Sequence, residues 1–248
     1  MNLSSISALV KLISANPAEA KALIKLASLE VLNSLGSGKY TIALENQTLT
    51  AQSEKNLSVG EKYWAQVIMS KDSKPTLTHL IKTPQLFTLL KNNAFTLTLQ
   101  ELQTLLKSPK PATVLGQQLL EMLSNTNSKE EFSTLSTLLL SLHNQTLTLP
   151  ILYRNYFSIL QLKKRYNKSS KKQFIDFYAA FEFLGPISGL ITLEEHEISV
   201  ALSVAFAQTK HFLEQDMNNF SYTVTIDINE QIAPLYEANA HTLLDISI

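Results

Sequence analysis

Residues 174–228 decide the fold, and they read FIDFYAAFEFLGPISGLITLEEHEISVALSVAFAQTKHFLEQDMNNFSYTVTIDI. Apolar side chains alternate with polar or small ones in three successive runs, at 175–183, 187–193 and 198–206. Such alternation predicts three strands. A helix is predicted over 208–217, and alternation returns over 220–228. Because one side of each strand is polar or small, we expect an antiparallel sheet with a single helix covering its apolar side.

The residues before this stretch extend the same sheet. The C-terminal domain is predicted to cover residues 147–248, and a tight turn at Arg154-Asn155 leads into a strand over 157–163. Residues 163–172 are predicted to form an exposed hairpin loop. That segment has no acid and carries six basic residues: Lys163, Lys164, Arg165, Lys168, Lys171 and Lys172.

The first third of the chain changes from helical to strand periodicity. Apolar residues at helical spacing predict helices over 4–14 and 18–34. Over residues 40–81 the period is two, in four or five short segments, which predicts a small antiparallel β-barrel. Residues 1–95 are therefore predicted to form a helical hairpin followed by a barrel-like domain.

Residues 96–146 are predicted to form a helical layer that links the barrel to the C-terminal domain. The helical segments in and just before this layer are 84–91, 97–106, 114–123 and 132–142. Ser128, followed by Glu131 three positions later, has the pattern of a capping box at the start of the last helix. The fold class is α+β: N-terminal helices with a small barrel, a helical middle, and a C-terminal antiparallel sheet.

The composition is typical of a globular protein and narrows the function classes. The chain has 248 residues, a hydrophobic fraction of 45% and a net charge of zero, so no overall field attracts a polyanion. It contains no cysteine, which excludes disulfides, thiolate nucleophiles and cysteine-built zinc sites. No apolar run approaches the roughly 18 residues that indicate a transmembrane helix, so no membrane span is expected.

Three patterns suggest chemistry, and ordinary structure explains each of them better. Residues 194–197 hold three glutamates and a histidine, but side chains on a turn diverge whereas a metal or acid–base site needs converging groups. His211 and Glu214 provide two ligands only. Residues 36–39 lack the spacing of a phosphate loop and the Ser or Thr that follows its lysine. We therefore expect no catalytic residues, no metal, no cofactor and no enzymatic activity.

The sequence Phe183-Leu-Gly-Pro-Ile187, followed by the alternating run 198–206, resembles the C-terminal domain of flagellar hook-length control proteins. Members of that family have a strand, a Leu-Gly-x-Val/Ile turn, a strand, an acidic turn, a strand and a helix in this order. Glu194 and Glu195 stand in the acidic turn, and Phe212-Leu213-Glu214 is similar to the Leu-Leu-Glu-like run of the family's helix.

The resemblance covers roughly residues 150–228 and implies a type III secretion substrate-specificity-switch domain. In the family, this domain contacts the cytoplasmic domain of the export-gate switch protein and changes secretion from rod and hook to filament substrates. The implied location is the bacterial cytoplasm at the flagellar export apparatus, with the hook or hook-cap protein as a further candidate partner. Because the N-terminal segment is compatible with an uncleaved export signal and with an ordinary helix, export through the flagellum stays open. The chain lacks the long Pro/Gln/Ala-rich region that acts as a molecular ruler in the family. The resemblance therefore implies a role in export more directly than a role in measuring hook length.

Three groups of residues are candidate partner contacts. They are the turn residues Leu184, Gly185 and Pro186, the small strand residues Ser199, Ala201 and Ser203, and the basic residues Lys163, Lys164 and Arg165. Turn geometry and tight strand packing explain the first two groups equally well, and a solvated loop explains the third. The sequence after Lys210 has six acids and no Lys or Arg, so opposite charges on one domain favour electrostatic recognition of a protein.

An alternative hypothesis is a single-stranded nucleic-acid-binding protein that uses the barrel. Tyr40, Tyr63 and Trp64 would then be the stacking platforms. Two observations argue against it, because strand aromatics more often pack in a core and residues 38–81 have a balanced charge. Binding to a protein partner is therefore the favoured hypothesis.

Overall fold

The computed structural model describes residues 26–44, 47–53, 55–69, 75–92, 95–167, 172–194, 197–215, 217 and 222–237. The described part of the chain is α+β, with two sheets and five helices, and most of it is strand. The predicted helix over 4–14 and the first part of the one predicted over 18–34 lie outside the described residues. Among the described helices, none combines the length and the apolar character that crossing a membrane requires.

The N-terminal sheet has five antiparallel strands in the order β3-β2-β1-β4-β5. They are β1 (Leu26–Gly36), β2 (Lys39–Leu44), β3 (Gln47–Gln52), β4 (Lys62–Met69) and β5 (Pro75–Lys82). The strands predicted over 40–81 are confirmed. The predicted barrel is not closed, because the outer strands β3 and β5 are not hydrogen-bonded neighbours.

Strand β1 corrects the helix predicted over residues 18–34. Leu26, Leu29 and Leu32 have helical spacing, yet Leu29 is buried while Leu32 is 43% exposed. Residues of β1 pair with β2 on one side and with β4 on the other. Pairing on both edges satisfies the backbone of this segment, so tertiary context overrides the local leucine spacing.

Four helices follow, and all four agree with the predicted segments. They are α1 (Gln85–Lys91), α2 (Leu99–Lys107), α3 (Pro111–Asn125) and α4 (Lys129–His143). The predicted capping box at Ser128 is only half formed: its hydroxyl accepts a hydrogen bond from the Glu131 N–H at 3.3 Å, but the Glu131 carboxylate accepts from the Thr126 hydroxyl at 2.6 Å. A complete capping box starts α2, at Thr98 and Glu101.

The C-terminal sheet has six strands in the order β11-β10-β9-β8-β7-β6. They are β6 (Leu147–Tyr153), β7 (Tyr156–Asn167), β8 (Lys172–Phe181), β9 (Gly185–Glu194), β10 (Glu197–Val204) and β11 (Thr223–Ile228), with helix α5 (Ala207–Glu214) between the last two. Strands β6 to β10 form an antiparallel meander, which agrees with the predicted antiparallel sheet. Strand β11 corrects the prediction because it runs parallel to β10. The crossover through α5 returns the chain to the end of the sheet at which β10 began, which is how parallel neighbours are joined.

The main hydrophobic core contains residues of both sheets and of all five helices. The predicted single covering helix is therefore wrong, since α1 to α4 pack against this core as well as α5. Edge-to-face ring contacts join Trp64 of β4 to Phe87 of α1 at 5.5 Å, and Phe87 to Phe157 of β7 at 5.1 Å. A separate small core lies under the N-terminal sheet. The domain boundaries proposed at residues 95 and 146 stay a prediction.

Candidate functional site

The turn that carries the family resemblance is an interior feature. Leu184, Gly185 and Pro186, offered by the sequence as candidate partner contacts, are all buried and so lack the exposure that such a contact needs. The Thr209 hydroxyl of α5 donates a hydrogen bond to the Leu184 carbonyl at 2.8 Å. Gly185 has a φ of +72°, and a Cβ there would lie 2.6 Å from the Phe206 ring. The turn thus needs glycine for its backbone and for its packing, and it anchors α5 to the sheet.

The small residues of β10 form the centre of an open sheet surface. Ser199 and Ala201 are exposed and Ser203 is half-buried. In register, these three residues lie between β9 and β11, and direct register neighbours share a side of the sheet. We call the resulting nine-residue surface the polar face: Ser188, Leu190 and Thr192 of β9, Ser199, Ala201 and Ser203 of β10, and Thr223, Thr225 and Asp227 of β11.

Four of the six basic residues belong to strands, which corrects the predicted loop at those positions, and Lys168 and Lys171 lie outside the described residues. Lys163, Lys164 and Arg165 belong to β7, and Lys172 begins β8. Lys163 is in register with Asp176, and Asp176 is in register with Leu190 of the polar face. Lys163 and Arg165 therefore lie on the same side of the sheet as the polar face, whereas Lys164 lies on the other side.

Ion pairing reduces the positive charge of this region. The Arg165 guanidinium pairs with the Asp176 carboxylate, and this contact raises the pKa of Arg165 further. The Lys172 ammonium lies 2.7 Å from a Glu194 carboxylate oxygen. No described carboxylate pairs with Lys163 or Lys164. Among the residues that the structure describes, Lys163 and Lys164 are thus the basic residues of this hairpin without an ion-pair partner.

The three aromatic residues named for nucleic-acid stacking are buried. Tyr40 and Tyr63 belong to the small core, and their hydroxyls accept hydrogen bonds from the N–H groups of Leu57 at 3.2 Å and Ser58 at 3.0 Å. Trp64 belongs to the main core. Because no face of these rings is open, they offer no stacking platform for a base.

Two of the four residues of the acidic segment 194–197, Glu195 and His196, lie outside the described residues. Over the described ranges, no group of three or more metal-binding side chains comes together. His211 is exposed on α5, where the Lys210 ammonium and the Glu214 carboxylate lie 3.8 Å apart.

Residues 229–237 follow β11, and we call this segment the strap, because it crosses to β7. Gln161 of β7 is fully buried, and its side-chain oxygen accepts hydrogen bonds from the N–H groups of Leu235 at 2.8 Å and Tyr236 at 3.2 Å. Its amide nitrogen donates to the Tyr236 carbonyl at 2.8 Å. One buried glutamine therefore holds the strap through three backbone bonds. A polar residue in the middle of an apolar strand was the only signal of this site in the sequence.

The end of the strap reaches the start of helix α1. A Glu237 carboxylate oxygen accepts a hydrogen bond from the Leu86 N–H at 3.1 Å, in the first turn of a helix whose own cap residue, Pro84, has no capping side chain. Burial raises the pKa of Glu237, and the bonds from the helix N-terminus partly offset that rise. Burial also raises the pKa of the neighbouring Tyr178, which therefore stays protonated. Glu237 thus acts as a cap supplied from a distant part of the chain.

No protein-family model matches this chain, and no curated protein or solved structure matches it either.

Proposed function

We propose that this chain is a non-enzymatic flagellar protein of the hook-length control type. It binds the cytoplasmic domain of the export-gate switch protein and regulates hook length or the switch in export substrate. The observation that carries the proposal is the polar face, which has small side chains at its centre and charged side chains at its two sides.

The shape and the charges of this surface suit recognition of a protein. At the centre, Ser199 and Ala201 are exposed, and their short side chains allow a partner to approach the sheet closely. Lys163 lies toward β7 on one side, and Asp227 lies on β11 at the other. Opposite charges at the two sides would set the orientation of a bound partner and speed its association more than they would raise affinity.

The resemblance of residues 150–228 to hook-length control proteins supports the identity of the partner. The order that the resemblance implies is a strand, a Leu-Gly turn, a strand, an acidic turn, a strand and a helix. In this chain β8, the Gly185 turn, β9, the acidic residues of 194–197, β10 and α5 follow one another in that order. The buried turn would maintain the sheet, and the polar face would make the contact.

Hook lengths measured by electron microscopy test this function. In a strain lacking the gene we expect overlong hooks without filaments, and the wild-type gene should restore normal hooks. Ala201→Arg places a long cation at the centre of the polar face and should fail to restore them. Ala112→Arg, which changes an exposed alanine on α3 in the same way, is the control and should restore them. Normal hooks and filaments in the deletion strain would contradict the proposal.

The nucleic-acid alternative gains no support from the geometry. Its three aromatic residues are buried, and two of them use their hydroxyl groups to hold backbone N–H groups of the 57–58 segment. Salt-dependent binding of single-stranded DNA by the purified protein would restore that alternative.

A further inference from the structure

Strand β11 is an edge of the six-stranded sheet. It pairs with β10 over six consecutive residues without a shift in register. The ladder continues with Asn229, whose N–H donates to the Val204 carbonyl at 2.9 Å. Since alternate residues of a strand direct their backbone groups to opposite sides, Val224, Ile226 and Ile228 direct theirs away from β10. Within the described ranges, no backbone group bonds to this outer side.

This edge has few of the features that keep edge strands from pairing. Natural edges are protected by lysine, proline, bulges or inward charges. Strand β11 reads TVTIDI, so it contains no lysine or proline, and its register has no bulge. Threonine, valine and isoleucine all favour strands. Ile228 is 53% exposed at the end of the strand, and Asp227 is the strand's one charged residue.

We propose that β11 pairs antiparallel with β11 of a second copy of this chain, around a two-fold axis at Ile226. In this register Val224 lies opposite Ile228 of the second copy, and the two Ile226 residues lie opposite each other. All of these are apolar and lie on the side of the sheet that α5 covers. On the polar face, Thr225 lies opposite Asp227 of the second copy, where its hydroxyl can donate to the carboxylate. The two six-stranded sheets become one continuous sheet.

The same register satisfies the backbone. Val224, Ile226 and Ile228 direct their N–H and C=O groups outward, and each exchanges both bonds with a residue of the second copy. In this register odd-numbered residues of one copy lie opposite odd-numbered residues of the other. The polar faces of the two copies therefore lie on the same side of the combined sheet. A strand that fits itself in this way favours a second copy over an unrelated partner.

The charge of Asp227 limits the strength of the pairing. In this register the two Asp227 residues are diagonal neighbours, at about 7–8 Å. That is close to the Debye length of about 8 Å at physiological ionic strength, so their repulsion is only partly screened. A single short strand also buries less than the roughly 1,000 Å² expected of a permanent interface. We therefore expect a weak dimer whose population rises with protein concentration.

Sedimentation velocity of the full chain over a wide range of concentrations tests the pairing. The mass of the wild-type protein should rise toward that of a dimer. Ile228→Lys puts a charge opposite Val224 and should weaken the dimer by about tenfold or more. Asp227→Asn removes the repulsion and should tighten the dimer, which a loss of folding could not do. Leu152→Lys, at a residue that is 41% exposed on the opposite edge strand β6, is the control and should leave the dimer unchanged.

Two results would overturn the pairing. A wild-type protein that is monomeric at every concentration would do so, and hydrogen exchange would then identify the alternative. Slow exchange at Val224, Ile226 and Ile228 in that monomer would mean that another part of the same chain covers the edge. Fast exchange would mean that the edge is free for a different protein. Equal weakening by Ile228→Lys and Leu152→Lys would also overturn the proposal, provided that both variants melt at the same temperature as each other.

Discussion

At the scale of single residues, Gly185 shows how one position fixes the junction of sheet and helix. Its positive φ disfavours a side chain on conformational grounds, and the Phe206 ring occupies the space that a Cβ would need. Gly36 has a φ of +83° with nothing within 4 Å of an added Cβ. A substitution there therefore measures the cost of the backbone conformation alone.

Gly185→Ala should lower the free energy of unfolding by about 2–4 kcal/mol, because backbone strain and overpacking add. Gly36→Ala should cost about 1–2 kcal/mol, since only the strain remains. Denaturant unfolding of both variants measures the difference. Equal losses would show that the contact with Phe206 contributes nothing.

Glu237 gives a prediction about pH. Its ordinary pKa of 4.5 is raised on folding, chiefly by burial, so the folded state holds the proton more tightly than the unfolded state. The free energy of unfolding should therefore fall as the pH rises from 4.5 through the raised pKa, and should level above it. Glu237→Gln keeps an oxygen for the Leu86 N–H but cannot ionise, so this part of the profile should flatten. Denaturant unfolding of both proteins at a series of pH values measures this difference. If the free energy of unfolding of Glu237→Gln falls with pH as steeply as that of the wild-type protein, Glu237 is not the source of the pH dependence.

At the scale of elements, the capping box of α2 is a local device with a measurable effect. The Thr98 hydroxyl accepts from the Glu101 N–H at 3.3 Å, and the Glu101 carboxylate accepts from the Thr98 N–H at 2.7 Å. Thr98→Ala should cost about 0.5–2 kcal/mol of stability. Thr104→Ala changes an exposed residue in the same helix and should be neutral or slightly stabilising. Thermal unfolding compares the two, and equal effects would contradict a capping role.

Elements whose pattern is local were predictable, and those fixed by distant contacts were not. Strict alternation in β8, β9 and β10 predicted all three strands, because a half-buried strand needs it. Strand β1 was missed since its leucines also fit a helix, and pairing on both edges decided the outcome. The parallel direction of β11 depends on where α5 packs, which no local pattern encodes.

In the candidate site too, features with a local sequence pattern were predictable and those that depend on distant contacts were not. The sequence predicted the polar face at Ser199, Ala201 and Ser203, because small residues alternated with apolar ones along one strand. It failed at Leu184, Gly185 and Pro186, since their burial comes from α5, which folds back over the turn. It missed the bonds from Gln161 to Leu235 and Tyr236 because these partners lie 74 and 75 residues away.

At the scale of the whole molecule, one core connects the two sheets. The contacts of Phe87 with Trp64 and with Phe157 join the N-terminal sheet, α1 and the C-terminal sheet. The strap adds a second connection, from β11 across Gln161 to the start of α1. These contacts leave five of the nine residues of the polar face exposed and the other four half-buried, which is the surface that we propose for a partner.

Binding of the purified full chain to the purified cytoplasmic domain of the export-gate switch protein tests the proposed function most directly. Titration calorimetry should show saturable binding by the wild-type protein and by Ala112→Arg. Ala201→Arg, folded to the same extent by circular dichroism, should bind at least about tenfold more weakly, a loss of about 1.4 kcal/mol. No binding by the wild-type protein, or equal binding by all three, would contradict a partner site on the polar face.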